Sequence, residues 1–163
     1  MWNRLRKMFS GHDAPATVRL QGDGSYGLQV VGDSKYQEAL NAACGHATPD
    51  AMGFVCQAQL VTDDWHPYDR TAVKVLIDGR RIGYLQQPDA IAYRWHLRQA
   101  GKPDAVGTCA ACIMLDSDRG HDDGAKHLVA RLDLRLAEKE LPQRAAAATL
   151  KARSGHQLAK HRR

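Results

Sequence analysis

Apolar and polar residues alternate along several segments of the chain, and this pattern predicts β-strands. The alternation is clearest over residues 54–61 and 127–136. A period of two places every second side chain on one face of a sheet, so one face of each strand is expected to be buried. The predicted inward positions are Phe54, Cys56, Ala58 and Leu60 in the first segment and Leu128, Ala130, Leu132, Leu134 and Leu136 in the second.

A tight β-hairpin is the strongest local prediction. Residues 71–77 place two valines and an isoleucine on one face, and Asp78-Gly79 follows directly. Asp-Gly is typical of two-residue hairpin turns, because both positions of such a turn require positive φ. Residues 80–85 are then the partner strand. Two further strands are predicted, one over 26–30 and one over 105–115.

Two helices are predicted from the signals at their ends. Ser34 is the expected N-cap of the first, Gln37 completes a capping box, and Gly45 follows its end. The second begins at Pro88 and ends before Gly101. The predicted inward side chains are Tyr36, Leu40 and Ala43 in the first helix and Ile91 and Trp95 in the second.

These elements predict a mainly β fold with helices, of the α+β class. Several short strands with two packed helices indicate a small barrel or a strongly curved sheet. We assign this domain to residues 16–140. Residues 1–15 are expected to be a flexible basic arm, and residues 141–163 a basic tail that is helical or disordered.

Charge is distributed unevenly along the chain, whose formal net charge is +5 at pH 7. Residues 1–15 hold three bases and one acid, and residues 141–163 hold six bases and no acid. The 14 bases and 17 acids between them leave the domain at −3. Basic tails either bind phosphate backbones or anionic lipid, or act only as solvated ends, and both interpretations stay open.

The sequence also predicts a cellular location. No apolar run approaches the roughly 20 residues needed to cross a bilayer, and the first ten residues lack the apolar core of a secretory signal. We therefore expect a cytoplasmic protein whose four cysteines stay reduced. One apolar side of a short helix near residues 1–9 is too brief for firm membrane association.

Two segments resemble metal sites. Cys109 and Cys112 have zinc spacing, but they lie in a predicted strand, which turns residues three apart to opposite faces. Buried free thiols are therefore expected there. Residues 116–127 resemble a calcium loop, but they have glycine at the fifth position and histidine at the twelfth, where a glutamate is required. We predict no metal at either place and no cofactor.

The segment His66–Val75, followed by Asp78-Gly79 and Ile82–Leu85, resembles the signature of HIRAN domains. Val30-Val31-Gly32, placed before a helix that contains Gln37–Leu40, resembles the opening strand and first helix of that family. The resemblance covers roughly residues 26–136. It implies an OB-like β-barrel that, in the best-understood members, grips the 3′ end of single-stranded DNA. Other members are linked to DNA repair and remodelling factors, or stand alone in bacteria and phages, and this chain resembles the standalone type.

The resemblance also implies roles for particular residues. The pair that matches Tyr68-Asp69 meets the terminal nucleotide: an aromatic face stacks on any base, while a carboxylate accepts a hydrogen bond from a free 3′ hydroxyl and repels a 3′ phosphate. Nearby bases can contact the phosphates. The predicted nucleic-acid-binding residues are Tyr68, Asp69, Arg70, Lys74, Arg80, Arg81 and Tyr84.

The chain departs from the family pattern at four positions. His66 and Thr71 stand where the family usually has asparagine, so a differently shaped turn is expected. Leu28 and Gln29 stand nearest to the positions of an Arg-Tyr-type pair on the opening strand, so the stacking platform is expected to be incomplete. Asp69 could also serve the turn alone, because aspartate readily bonds nearby backbone amides.

Three functions therefore stay open. The first is a non-catalytic module that binds single-stranded DNA or its 3′ end. The second is a protein-interaction domain that has kept the barrel without DNA binding, so that its partner is a protein. The third is a metal-dependent nuclease with Asp63, Asp64 and His66 as ligands, which lacks a second carboxylate cluster at matched spacing.

Overall fold

A computed structural model describes residues 15–116 and 126–136. Seven strands and two helices follow one another along these residues, with a single 3-10 turn at Asp33–Lys35 before the first helix. The elements are β1 (Thr17–Arg19), β2 (Leu28–Gln29), α1 (Gln37–Ala43), β3 (Phe54–Thr62), β4 (Val73–Ile77), β5 (Arg80–Tyr84), α2 (Gln87–Gln99), β6 (Val106–Leu115) and β7 (Leu128–Asp133).

The strands form one curled sheet, and the predicted mainly β, α+β class is confirmed at this level. Six strands run in the order β2-β7-β6-β3-β4-β5 with antiparallel neighbours, and β1 pairs in parallel with the start of β6. Just beyond β2, Val31 forms an isolated antiparallel bridge to Tyr84 on β5, with both N···O distances at 2.9 Å. This bridge links the two ends of the strand order, so the sheet is barrel-like.

The predicted hairpin is present. Asp78 and Gly79 have φ values of 49° and 73°, the two positive values that such a turn requires. Further along β5, the pairing with β4 shifts register, so that Ile82 is an additional residue opposite the bond between Val75 and Leu76. This β-bulge changes which side chains of β5 share a face.

Gly83 lies where the two ends of the sheet meet. Its φ is 152°, and an added Cβ would overlap the carbonyl oxygen of Val31 and the side chain of Val30. Only glycine lets the two backbones approach this closely. The bridge that links the ends of the sheet therefore depends on this residue.

The core confirms most of the predicted alternation. In β4, Val73, Val75 and Ile77 are buried and the residues between them are half-buried. In β3 the alternation holds at Ala58 and Leu60, whereas Phe54 and Cys56 are partly exposed near the strand's start. In β7 and just after it, four of the five residues predicted to face inward are buried: Leu128, Ala130, Leu132 and Leu134. The fifth, Leu136, is only partly buried.

The first helix begins two residues later than predicted, with its N-cap at position 36 instead of 34. Tyr36 is the N-cap and makes no side-chain capping bond, so the expected capping box is wrong. The Gln37 amide instead pairs with the backbone of Leu128 in both directions, at 2.7 and 2.8 Å. This tertiary contact uses the side chain that a capping box would need. The predicted end is confirmed, because Gly45 follows the helix with φ 63°.

The buried face of α2 differs from the predicted one. Its buried residues are Ala90, Tyr93 and Leu97, whereas Ile91 is 38% exposed and Trp95 is half-buried. The centres of the predicted and observed stripes lie roughly 150° apart around the helix, at 100° per residue. Tyr93 selects the observed one, because its hydroxyl donates to the Leu60 carbonyl at 2.9 Å and accepts the Gly107 amide at 2.8 Å.

The predicted strand over residues 26–30 is shorter than expected. Only Leu28–Gln29 is a strand, and Tyr26 has a positive φ of 49°, which is incompatible with extended backbone. Val30 is nevertheless buried, as the alternation requires. The basic arm, most of the acidic loop after β6 and the basic tail lie outside the described residues. Within the described part of the chain, neither helix has the length and apolar character needed to traverse a membrane.

Candidate nucleic-acid interface

The loop over residues 63–72 joins β3 to β4 and carries the predicted site. Backbone hydrogen bonds hold it at several points. The Asp63 amide donates to the Ala72 carbonyl at 2.9 Å, and the Ala72 amide donates to the Asp69 carbonyl at 3.1 Å. The His66 amide donates to the Asp63 carbonyl at 3.3 Å. The loop thus folds back on its own ends and presents its middle to solvent.

The side chain of His66 stabilises the turn by accepting backbone hydrogen bonds. Its Nδ1 atom accepts the amide hydrogen of Asp69 at 3.1 Å and lies 3.4 Å from the amide nitrogen of Tyr68. An imidazole nitrogen can accept only when it carries no proton, so this geometry requires the tautomer with hydrogen on Nε2. His66 is therefore a side-chain cap of this turn.

Asp69 and Thr71 form a second contact within the turn. One carboxylate oxygen of Asp69 accepts the Thr71 amide at 2.8 Å and the Thr71 hydroxyl at 2.6 Å. The hydroxyl, followed by the amide, holds the pKa of Asp69 below its ordinary value. Among the described residues, no donor contacts the other oxygen, Oδ2. Asp69 thus serves the turn through one carboxylate oxygen only.

Arg94 on α2 fastens the loop to the helix. Its guanidinium donates to the carbonyl oxygens of Thr71 and Ala72, each at 2.9 Å, and to a carboxylate oxygen of Asp64 at 2.7 Å. The Arg94 side chain is only 13% exposed. Because the planar guanidinium satisfies two backbone acceptors and one carboxylate together, it fixes both the end and the beginning of the loop.

Two aromatic rings project from this fixed loop. Tyr68 is 94% exposed and Trp65 is 92% exposed. Both line an open depression of about 630 Å³ that also includes His66 and Arg70. The ring predicted to meet a ligand is therefore in solvent and not packed in the core.

Aromatic rings and cations continue from the loop onto β5 and the start of α1. The His66 ring lies edge-on to Tyr68 at 6.2 Å and to Tyr84 at 5.1 Å, measured between ring centroids. The Arg81 guanidinium lies 5.4 Å from the centre of the Tyr84 ring and donates to its hydroxyl at 2.7 Å. We call this series, completed by the two residues just before α1, the aromatic–cation row. Its members are Tyr68, His66, Tyr84, Arg81, Tyr36 and Lys35.

The two residues just before α1 are the last members of the row. The Arg81 guanidinium lies 5.2 Å from the centre of the Tyr36 ring, and the Lys35 ammonium lies 5.9 Å from it. Both distances are within the range of a cation–π contact. Tyr36, predicted to face inward, is therefore only partly buried and belongs to this surface.

The bulge in β5 makes the row continuous. Residues three apart on a regular strand point to opposite faces, yet Arg81 and Tyr84 touch each other. The additional residue, Ile82, shifts the alternation by one, so both side chains reach the same side of the sheet. Burial raises the pKa of Tyr84, and Arg81 opposes this effect, so the phenol stays neutral and can accept from the guanidinium.

The other predicted residues lie at different distances from the row. Arg70 is exposed and lines the loop depression. Lys74 is half-buried on β4 directly opposite Tyr84 in the pairing, on the face away from the core. Arg80 is exposed next to the hairpin turn, and no ring contact of the row includes it.

Leu28 and Gln29 provide neither a ring nor a cation. Leu28 packs against the core, and Gln29 lines a separate depression of about 950 Å³ together with Arg131 and Arg135. No aromatic ring or cation is therefore contributed by β2. Tyr36 and Lys35 place a ring and a cation on the row instead.

The residues considered as metal ligands have other contacts. Asp64 is paired with Arg94, and His66 Nδ1 accepts backbone hydrogens. Cys109 belongs to the core, whereas Cys112 packs against Gly53 on the other face of β6. Burial raises the pKa of Cys109 to about 12, so its thiol stays protonated. Within residues 15–116 and 126–136, no three His, Cys, Asp or Glu side chains gather as a metal site would require.

No family model, curated protein or solved structure matches this chain.

Four residues of this surface were missed from the sequence. Trp65 could have been found by the signal that identified Tyr68, since each is an aromatic residue in a polar loop. Lys35 and Tyr36 had no such signal, because only the fold brings the start of α1 beside Arg81. Arg94 lies on a helix with one other arginine and one histidine, and its two carbonyl partners are 22 and 23 residues away.

Proposed function

We propose that this chain is a non-catalytic module that binds single-stranded DNA, with a preference for its 3′ end. We further propose that the curled sheet is an OB-like barrel of the HIRAN type, whose role lies in DNA repair or processing. The segments that resemble the HIRAN signature occupy the loop, β4, the hairpin turn and β5, which together carry most of the aromatic–cation row. This arrangement supports the proposal.

The observation that carries the proposal is the position of Tyr68. A tyrosine ring that is 94% exposed stabilises no core, yet the loop around it is held by His66 and Arg94. A ring presented on a rigid support can stack on a base without ordering costs at the moment of binding. Each stacked base contributes about 1–3 kcal/mol.

Local charge supports a polyanionic ligand, although residues 16–140 are acidic overall. Lys35 and Arg81 belong to the row, and Arg70 lines the adjacent depression. The nearby carboxylate of Asp64 is neutralised by its 2.7 Å contact with Arg94. Phosphates that pass along the row would therefore meet cations, while the bases meet rings.

Asp69 supports a preference for the 3′ terminus. Its Oδ2 atom remains free to accept a hydrogen bond from a 3′ hydroxyl, since Thr71 contacts only Oδ1. Because the lowered pKa keeps this carboxylate ionised at neutral pH, a terminal phosphate at the same place would be repelled. The contact thus favours an unblocked end.

Fluorescence anisotropy with short labelled oligonucleotides tests the proposal. We expect the full chain to bind single-stranded DNA with a free 3′ hydroxyl more tightly than the same strand with a 3′ phosphate. Tyr68→Ala should weaken binding by about 5- to 140-fold, the equivalent of one stacked base. Asp69→Asn should remove the preference for the free hydroxyl.

Met52→Ala is the matched control, because Met52 is 84% exposed on a separate loop and should not affect binding. Absence of binding at low salt by a folded chain would overturn the proposal and favour a protein-interaction domain. DNA cleavage with added Mg²⁺ or Mn²⁺ that is lost on Asp63→Ala would also overturn it, in favour of a nuclease.

A further inference from the structure

Trp65 lies in solvent without any packing role. Its side chain is 92% exposed, although a tryptophan buries more apolar surface than almost any other residue when it enters a core. An indole left in water on a folded domain is typical of a binding surface, where rigid aromatic side chains contribute much of the energy. Trp65 is therefore a candidate contact residue.

The residues on both sides of Trp65 are held by polar contacts. The side-chain carboxylate of Asp64, which precedes it, pairs with Arg94 at 2.7 Å. His66, which follows it, donates its amide hydrogen to the Asp63 carbonyl at 3.3 Å and caps the turn with its ring. The indole is thus presented from a fixed position, in the same way as the ring of Tyr68.

Trp65 and Tyr68 share one depression. Residues 64–70 line its volume of about 630 Å³, and charged, polar and aromatic groups make up this lining apart from Pro67. Such a lining suits bases and their phosphates better than it suits an apolar peptide side chain. Because three residues span at most about 11 Å, the two rings can reach bases of neighbouring nucleotides.

We propose that Trp65 stacks on a second base of the same single strand, next to the nucleotide that Tyr68 contacts. This inference rests on the proposed function, and it extends the site from one terminal nucleotide to at least two. Arg70 lines the same depression and can contact the phosphate that joins the two nucleotides. Because every base has a π-face, the second position tolerates any base.

A cycle that combines protein variants with abasic nucleotides tests this inference. The ligand is an oligothymidylate of about eight nucleotides with a free 3′ hydroxyl, together with versions that lack one of its last three bases. We expect Trp65→Ala to weaken binding of the intact strand by about 5- to 140-fold. In the strand that lacks the base opposite Trp65, at one internal position, Trp65→Ala should cause no further loss of affinity. The indole of the unaltered chain has no base to contact in that strand.

Tyr68→Ala is the comparison variant, and it should show the same behaviour with the terminal base. Trp65→Phe keeps a ring and should retain most of the affinity. Unfolding in urea should be unchanged in both Trp65 variants, since the side chain is exposed.

The outcomes separate this inference from the proposed function. If the full chain binds the intact strand and Trp65→Ala binds it equally well, only the second stacking position is refuted. Equal losses at every abasic position would refute it in the same way, since they would show that no particular base meets the indole. If the unaltered chain binds no strand at low salt, the proposed function falls and the second position falls with it.

Discussion

The Nδ1 atom of His66 accepts the amide hydrogen of Asp69 at 3.1 Å, so an imidazole ring shapes the turn that presents Tyr68. The same ring lies 5.1 Å from Tyr84 on β5. One side chain therefore both caps the loop and connects it to the sheet. This contact sets the position of the loop's aromatic ring relative to the rest of the aromatic–cation row.

Replacement of His66 tests its role as the cap. His66→Ala removes the acceptor and should lower the free energy of unfolding by about 0.5–1.5 kcal/mol. His66→Asn supplies an acceptor oxygen near the same place and should cost less. Urea unfolding of the two variants measures the difference, and NMR amide exchange at Asp69 locates it. A larger loss for His66→Asn than for His66→Ala would show that the hydrogen bond is unimportant.

Thr71 controls the titration of Asp69. Its hydroxyl is the main cause of the lowered pKa, so Thr71→Val should raise the pKa of Asp69 toward its ordinary value. A lowered folded-state pKa stabilises the fold above the unfolded-state pKa, and this stabilisation is lost as pH falls through the folded-state value. NMR titration of the carboxyl carbon measures the change. Thr17→Val on β1 is the control, and an unchanged Asp69 pKa in Thr71→Val would contradict the assignment.

Arg81 should contribute to the salt dependence of DNA binding. If its guanidinium neutralises one phosphate, Arg81→Gln should make the slope of log K against log salt shallower by about 0.7. Affinity should fall as well, because the guanidinium also contacts Tyr84 and Tyr36. Arg19→Gln, on an exposed position of β1, is the matched charge change and should leave the slope unaltered. Equal slopes for the two variants would remove Arg81 from the interface.

Loss of the hydroxyl should lower the stability of the fold at Tyr93 but not at Tyr68. The Tyr93 hydroxyl is buried between the Leu60 carbonyl and the Gly107 amide, so Tyr93→Phe leaves both groups without this partner. The expected loss of unfolding free energy is about 1–3 kcal/mol. Tyr68→Phe changes an exposed side chain and should stay within about 0.5 kcal/mol of the unaltered chain. Urea unfolding measures the stability of both variants. Equal stabilities of Tyr93→Phe and Tyr68→Phe would contradict the structural role of Tyr93.

The strands and the hairpin could be predicted because local rules dominate them. Val73, Val75 and Ile77 are buried as the alternation requires, and Asp78-Gly79 turns as its backbone preferences require. The helices were predicted less well. Their ends followed from glycine positions, but the buried face of α2 was wrong, because the hydroxyl of Tyr93 finds partners on two strands distant in sequence.

In the candidate site, too, some residues could be predicted from the local sequence and others could not. Tyr68 and Asp69 could be singled out because an aromatic residue and an acid stand together in a turn sequence. The contribution of Tyr36 could not be predicted, because its ring contacts Arg81, which lies 45 positions later in the sequence. The anchoring by Arg94 was hidden for the same reason, because its acceptors are backbone carbonyls, which carry no sequence signal.

The sequence by itself determined the alternating strands, the Asp78-Gly79 turn and the polar loop that carries an aromatic residue and an acid, because these features depend on neighbours along the chain. The tertiary structure alone decided that Arg81 and Tyr84 share a face. Their spacing of three would separate them on a regular strand, and the bulge at Ile82 reverses that outcome. The bulge depends on how β5 pairs with β4 and how Gly83 meets Val31, which are contacts between distant segments that local periodicity does not encode.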